Sequence, residues 1–498
     1  MPANVLSTAV EADFGAGWVD VSADLRGGLS WDYGITGSGP TDRCASSGAL
    51  RGELGSPTTG RYAPDHAACR AGWGLNTKMR VRQSDGTTTY TRFLGRVRLI
   101  TPMAGRYVHA GCRVSFEARD WLDEAAELAM SGVTAQVSKR GDEILTALLA
   151  GAATQPEATS FDTGDSIFPY ALDDAQGEQT RLLSVCSSIA QSEQGYIYLT
   201  GDGTLVFEGR TLRASRASVP ALATLNDAMT GLSVSYAADG RPTRVKVTVH
   251  PRQVDAVGVT TVLFKRYDIA DGQTPLELGP GSSMTVFGSY GDPDDGNAIC
   301  GGTGMVPPVT TTDYTANAQA DGLGATLTAA LTVVASCTAS GVSELLTNTG
   351  AASLFVTRTQ VRGRRIKNTS PMLLSFGSGS GVVTVDMPYE GDVNIGSAVA
   401  TMLLAAWGVA SPCEVTFLTA TDALLTAALT GEPGSRITLS ETATGLSGDY
   451  FVQSVACALI GAALMRVTWR LVPADTTLFA VLDQVGACEL DATATIGY

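Results

Sequence analysis

The chain has 498 residues, 44% apolar and only 17% charged, with 56 glycines. Against a usual ~25% charged and ~7% glycine, this is a turn-rich chain of small residues with sizeable cores, neither a charged helical bundle nor a disordered polymer; at about 150 residues per domain it has room for about three domains. Its 34 basic and 49 acidic residues sum to −15, which argues against a surface that grips nucleic acid, because phosphate affinity needs clustered Lys and Arg.

Residues 1–125 read as strands and turns. Trp18-Val-Asp-Val21 and Leu29-Ser-Trp-Asp-Tyr33 alternate, and Gly27, Gly28, Gly34, Gly37 and Gly39 punctuate them. Further on come Met79-Arg-Val-Arg82, an Asp85-Gly86 turn, Arg92 to Ile100, a turn at Gly105, and Cys112 to Arg119. Asp-Gly between alternating runs is a strong hairpin signal. A meander of hairpins follows, closed as a barrel or stacked as a sandwich.

From about 120 to 228 the period changes. Trp121 to Met130, Asp142 to Leu149 and Arg181 to Ala190 place apolar residues at i, i+3 and i+4, the helical spacing. Gly195 to Leu199, a Gly201-Asp-Gly203 turn and Leu205-Val-Phe207 read as a hairpin, giving a small α+β unit. Alternation returns in Pro242 to Val249 and Thr261 to Phe264. Between 266 and 352, short Thr-rich strands such as Ser283 to Phe287 and Ala325 to Val333 suggest a β-sandwich. Leu354 to Thr357 and Val382 to Val385 resume the sheet, Ser397 to Trp407 is a helix, and the last ninety residues read as hairpins.

The nine cysteines (44, 69, 112, 186, 300, 337, 413, 457 and 488) include no CxxC pair. An odd, scattered set reads as reduced thiols in a protein assembled in a cytosol. The first residues carry Glu11 and Asp13 where a signal peptide is apolar, and the longest apolar run, Ala456 to Met465, is too short to span a bilayer. The expectation is a soluble chain.

Two segments resemble each other. Thr77 to Arg82, Phe93 to Val97 and Arg113 to Asp120 match Ser435 to Leu439, Phe451 to Val455 and Arg466 to Arg470, with equal spacing from Thr77 to Phe93 and from Ser435 to Phe451. The letters alone fit two unrelated meanders equally well. If the repeat is real, each chain carries two similar barrels and a trimer presents six, a pseudo-sixfold ring.

Trp18-Val-Asp-Val-Ser22, Leu29 to Ile35 and Gly39-Pro-Thr-Asp-Arg-Cys-Ala45 resemble the N-terminal signature of tailed-phage minor tail proteins. Arg92-Phe-Leu-Gly-Arg-Val97 with Pro102-Met-Ala-Gly105, the hairpin of 195–210, Asn348-Thr-Gly350 and Val356 to Gly363 are similar to later blocks of that pattern. So are Asp386-Met-Pro-Tyr389, Gly445 to Phe451, Trp469 to Asp475 and Thr493 to Tyr498, and the matches are collinear over nearly the whole chain. The resemblance implies a mainly β tail-tip or baseplate hub, a homotrimer with two tube-like β-barrel domains per chain. It implies a first barrel at 1–125, an α+β domain at 126–228 and a second barrel split between 229–265 and 353–478. Residues 266–352 are then an inserted β-sandwich, and 479–498 a C-terminal segment. The implied partners are the tail tube or distal tail protein ring, peripheral fibre or receptor-binding proteins, and genomic DNA passing without specific binding. The implied location is the virion tail tip, assembled in the host cytoplasm. On that reading the channel-facing strands carry net negative or neutral charge, because a basic lumen stalls a polyanion.

No residue is assigned to catalysis, and no cofactor or metal is expected. His66, His109 and His250 are far apart, without HExxH or a Cys/His cluster. Asp292-Pro-Asp-Asp-Gly-Asn297 resembles a calcium loop only faintly, because Gly296 falls on a ligand position. A peptidoglycan hydrolase needs paired carboxylates or a Cys/His pair, and Asp173/Asp174 and Glu124/Glu127 look merely solvated. Arg358, Arg362, Arg364, Arg365 and Lys367 form a basic stretch in an acidic chain, read either as a solvated strand edge or as a contact for an acidic neighbouring subunit. Trp18, Trp31 and Trp73 are candidate contact aromatics, with a core role as the alternative. A second function class is host recognition, with 266–352 binding a surface glycan, but that segment offers only Tyr267, Phe287, Tyr290 and Tyr314 for stacking.

Overall fold

Alternation sets the strands. Lys78–Ser84 buries every second residue (Met79, Val81 and Gln83), the period-two signature of a sheet with one covered face. The Asp85 carboxylate then accepts the amides of Thr87 and Thr88, each at 2.8 Å, and Gly86 takes a φ of +92° that favours glycine. The chain therefore reverses into Thr89–Met103. In the computed structural model the described residues are 6–56, 60–103, 113–130, 133–174, 180–216, 219–227, 229–234, 242–409, 411–461 and 464–474.

The first β-module comprises β1 (Ser7–Asp13), β2 (Trp18–Asp20), β3 (Ser30–Gly34), β4 (Ala49–Gly55), β5 (Lys78–Ser84), β6 (Thr89–Met103) and β7 (Arg113–Arg119). Three helices follow near the expected places: α1 (Trp121–Glu127), α2 (Gly141–Ala150) and α3 (Leu182–Glu193). The Asp120 carboxylate caps α1 by accepting the Leu122 amide at 3.0 Å. The expected hairpin forms between Tyr196–Leu199 and Thr204–Glu208. These helices and strands enclose their own core around Ile144, Leu148, Phe168, Ile189 and Phe207.

The second module uses β8 (Thr224–Leu225), β9 (Gly231–Val234) and, far downstream, β11 (Cys413–Leu418), β12 (Arg436–Ser440), β13 (Ser447–Gly461) and β14 (Leu464–Pro473); β10 is Leu354–Asn368 in the intervening segment. Within that segment Arg244–Val249 pairs with Met372–Gly377 and Val382–Met387 under the helix Val393–Val409. The long β10 pairs with five shorter strands between residues 252 and 317 over a separate core around Leu263, Leu346 and Val361.

The two modules are one sheet. Thirteen strands join in the order β9-β11-β14-β13-β3-β4-β7-β6-β5-β1-β2, with β12 on β13 and β8 on β12. Both modules share one hydrophobic core, from Val10, Trp31 and Phe93 to Phe417, Val455 and Trp469. The fold is mainly β as expected, but no closed barrel forms among the described residues.

Where a split second barrel of 229–265 and 353–478 was expected, the strands of these ranges lie in three different sheets. β9 is the last strand of the large sheet before β11 resumes it, so the segment interrupting the second module runs from β9 to β11. Two local expectations also change. Asp422–Thr430 is a helix, not part of a hairpin, because its Leu- and Ala-rich run is capped by Thr421, whose hydroxyl accepts the Leu424 amide at 3.3 Å. Within Ala325 to Val333 the chain first makes a 3-10 turn at Thr328–Ala330, and the strand is Leu331–Cys337. The segment 479–498, the Gly105 turn, Cys112, Cys488 and His109 lie outside the described residues.

The internal repeat is present in the topology. In chain order, β3, β4, β5, β6 and β7 form the spatial series β5-β6-β7-β4-β3, and β9, β11, β12, β13 and β14 form β12-β13-β14-β11-β9, all antiparallel. The central strands β6 and β13 are both 15 residues long. A core-facing row recurs in both modules across four strands, though β5 and β12 differ, with Val81 facing Phe93 but Arg436 facing Phe451. Trp31 faces Leu50, Leu50 faces Ala118 and Ala118 faces Val97, as Leu232 faces Val415, Val415 faces Trp469 and Trp469 faces Val455. Matching register across four strands goes beyond the likeness of any two meanders, because a one-residue slip turns every side chain to the wrong face.

Candidate assembly interface

The basic stretch lies on β10, and much of its charge is answered inside the chain. Arg362 makes a forked pair with Asp313, at 2.6 and 2.9 Å. Arg365 reaches Asp292 at 2.5 Å, Asp294 at 2.6 Å and Asp255 at 3.2 Å, and Lys367 meets Asp292 at 3.1 Å. Burial works against their ionisation, yet hydrogen bonds and the Arg365 guanidinium hold Asp255 and Asp292 below the usual carboxylate range. Arg358 donates to the Thr311 carbonyl at 2.7 Å and Arg364 to the Asp255 carbonyl at 2.9 Å. Within the chain, Arg362 and Arg365 thus already face carboxylates. The aspartates that face them belong to neighbouring loops of the same chain, which sequence spacing did not reveal. The loop Asp292 to Asn297 joins this ion-pair cluster.

The candidate aromatics also sort by burial. Trp31 and Trp73 are core residues, with Trp73 edge-on to Tyr62 and Phe116. Trp18 is half-buried under the Arg80 guanidinium, 4.2 Å from its ring centre. One member of each carboxylate pair is tied into an ion pair: Asp173, buried rather than solvated, binds Arg252 at 3.1 and 3.2 Å, and Glu124 binds Arg96 at 2.7 Å. His250 Nε2 lies 2.6 Å from the Asp386 carboxylate. Among the described residues, no cluster of three or more His, Cys, Asp or Glu is arranged to hold a metal ion, no helix is long and apolar enough to cross a membrane, and seven cysteines are unpaired.

Polar anchors missed by the sequence reading hold the modules in register. Arg92 of β6 is buried and donates to the carbonyls of Leu429, at 2.9 Å, and Gly431, at 3.0 Å, and to the Glu432 carboxylate. Tyr33 and the Gly201 amide also bond Glu432, each at 3.1 Å. Burial raises the Glu432 carboxyl despite Arg92. Nearby, buried Glu208 holds Arg213 at 2.7 Å and Arg216 at 2.5 Å. Burial opposes its charge, but the two guanidiniums win and its carboxyl is lowered. Arg213 continues to Gln453 of β13 at 2.9 Å, which ties the α+β unit to the second module.

What remains open are strand edges. Among the described residues the large sheet ends at β9, whose outer side has no strand neighbour. On β6, β5 and its lead-in occupy one side through Val97, and beyond it residues 98–103 have β7 as their only strand partner among the described residues. The equivalent second half of β13 is filled by β3.

No family model matches the chain, and no curated protein matches it. Among solved structures, a 43 kDa tail protein of prophage MuSo2 from Shewanella oneidensis superposes with a TM-score of 0.51 at 9% identity, over 95% of this chain and 99% of that one. The fold is that of a phage tail protein. A tail protein from Neisseria meningitidis has a TM-score of 0.48 at 11% identity, with 94% and 96% of the chains covered. The prophage tail protein gp18 from Listeria monocytogenes has 0.42 at 8%, with 93% and 94% covered. The MuSo2 superposition covers the described modules and the segment between them.

Proposed function

We propose that this chain is a structural tail-tip protein. Three copies form a ring that caps the tail tube or meets the distal tail protein ring, carries peripheral fibre or receptor-binding proteins, and lets genomic DNA pass. The observation that carries this reading is the doubling of one module in one sheet. Three chains then offer six near-equivalent modules to a sixfold tube, and head-to-tail contacts close a ring. Its work is done by interfaces and no bond is made or broken. Its place is the virion tail tip, reached from assembly in the host cytoplasm.

Charge supports the passage of DNA. On the sheet face away from the core, guanidiniums are answered across strands: Arg80 by Glu11 at 2.5 Å, Arg51 by Glu117 at 3.1 Å and Arg470 by Glu414 at 3.2 Å. Paired in this way, arginines are poor phosphate ligands. The neighbour contact expected of Arg358, Arg362, Arg364 and Arg365 on β10 is proposed here, foremost for Arg358 and Arg364, which meet backbone carbonyls rather than carboxylates.

Native mass spectrometry of the purified chain tests the ring. A trimer is the expected species, and a density map of the intact tail should place it where the tube ends. A strict monomer that also lies away from the tail tip in that map refutes the proposal.

A further inference from the structure

The internal repeat points to the strands that join one chain to the next. In the second module, the side of β13 left open beyond β12 is taken by β3, with Ser30 opposite Ala458, Trp31 opposite Cys457 and Asp32 opposite Ala456. In the first module the same side of β6 is open among the described residues. The counterpart of β3 is β9, the free end of the sheet. Across β6 and β7, Leu99 faces Glu117, Ile100 faces Phe116 and Thr101 faces Ser115. Across β13 and β14, Ala456 faces Thr468, Cys457 faces Val467 and Ala458 faces Arg466. The β-bulge between Val97 and Leu99 inserts Arg98 and restores this equivalence.

We propose that β9 of one chain pairs antiparallel with residues 99–101 of β6 in the next copy, repeating between chains the β3–β13 joint found within each chain. Gly231 then faces Thr101, Leu232 faces Ile100 and Ser233 faces Leu99. This specifies the contact of the trimeric ring proposed above and rests on that reading.

Three observations favour a second copy as the occupant. Ile100 and Leu232 pack against the shared core but stay half-buried, whereas their counterparts Cys457 and Trp31 are 3% and 1% exposed. Leu99 is 56% exposed on an edge that would otherwise invite non-specific pairing. Pro102, which lacks an amide donor, stands just past the last proposed pair, where it ends further pairing. Among the described residues each chain offers one edge of each kind, so the contact is head-to-tail, the kind that a closed ring requires.

Paired cysteines in the full-length chain test it. Opposed residues on adjacent strands bring their Cβ atoms to about 4.5–5.5 Å, close to disulfide reach. Leu99→Cys with Ser233→Cys should give covalent dimer and trimer bands under mild oxidation, at least tenfold stronger than either single variant. The out-of-register pair Leu99→Cys with Gly231→Cys should stay near the single-variant level. A trimer by native mass spectrometry without in-register cross-linking overturns this contact and leaves the ring standing. Equal cross-linking of both pairs overturns the register. A monomer that does not cross-link overturns this contact, and one that also lies away from the tail tip overturns the ring as well. Thermal melting of each variant checks that a missing band does not come from an unfolded chain.

Discussion

Trp31 of β3 stands directly opposite Cys457 of β13, both buried, and this pair lies where the two β-modules become one sheet. The first module therefore has no core of its own. Truncating Trp31 to Ala should cost about 3–5 kcal/mol, the usual toll of removing a large aromatic from a packed site. Hydrogen exchange should rise in both modules together. Protection lost around Val81 and Phe93 but kept around Val455 and Val467 would show that the cores are separable.

The Arg92–Glu432 contact predicts an asymmetric pair of variants. Arg92→Ala leaves the half-buried Glu432 carboxylate without its guanidinium and frees two carbonyls, and should destabilise by about 2–4 kcal/mol. Replacing both partners with Met should cost clearly less than Arg92→Ala alone, because no lone charge remains. A double-mutant cycle by urea denaturation measures the coupling. Additive losses would remove the interaction from the account.

Arg365→Glu places a fourth carboxylate among Asp255, Asp292 and Asp294. The expected loss is about 2–4 kcal/mol, local to the sheet built on β10. Limited proteolysis should open this segment first while the oligomeric state stays unchanged. A change in assembly with normal stability would favour the subunit-contact reading of Arg365 instead.

Glu193, buried at the end of α3, has its carboxyl pushed up to about 8 by burial, against the opposing charge of Arg210. Its folded-state value exceeds the unfolded value of roughly 4.3. Its stabilising contribution is therefore complete below about pH 4 and is lost as pH rises through about 8, at a slope of at most about 1.4 kcal/mol per pH unit. Glu193→Gln keeps an oxygen for the Asp165 and Ser166 amides, which bond Oε1 at 2.7 and 3.2 Å. The difference in melting temperature between variant and parent should grow in the variant's favour from pH 4 to pH 8. A pH-independent difference would mean that Glu193 does not titrate in this window.

The strands of both meanders, the three helices after Asp120 and the hairpin at 196–208 were legible in the sequence, because period two and period 3.6 are local and set by which face is covered. The repeat was legible in the same way, as spacing. Its confirmation was not, since register depends on partners such as Leu50 and Ala118 that lie far apart in the chain. The helix at Asp422–Thr430 was obscured because its Leu- and Ala-rich letters suit a short buried strand as well as a helix.

By itself the sequence determined a mainly β, acidic, turn-rich chain carrying two similar meanders, since composition and hydrophobic period act residue by residue. Only the tertiary structure decided that the meanders fuse through Trp31 and Cys457, that the segment from β9 to β11 folds away from the shared sheet, and that Arg362 and Arg365 are neutralised within the chain. Strand pairing and ion pairing join groups hundreds of residues apart, and a linear pattern does not encode which of many equivalent edges or carboxylates each one meets.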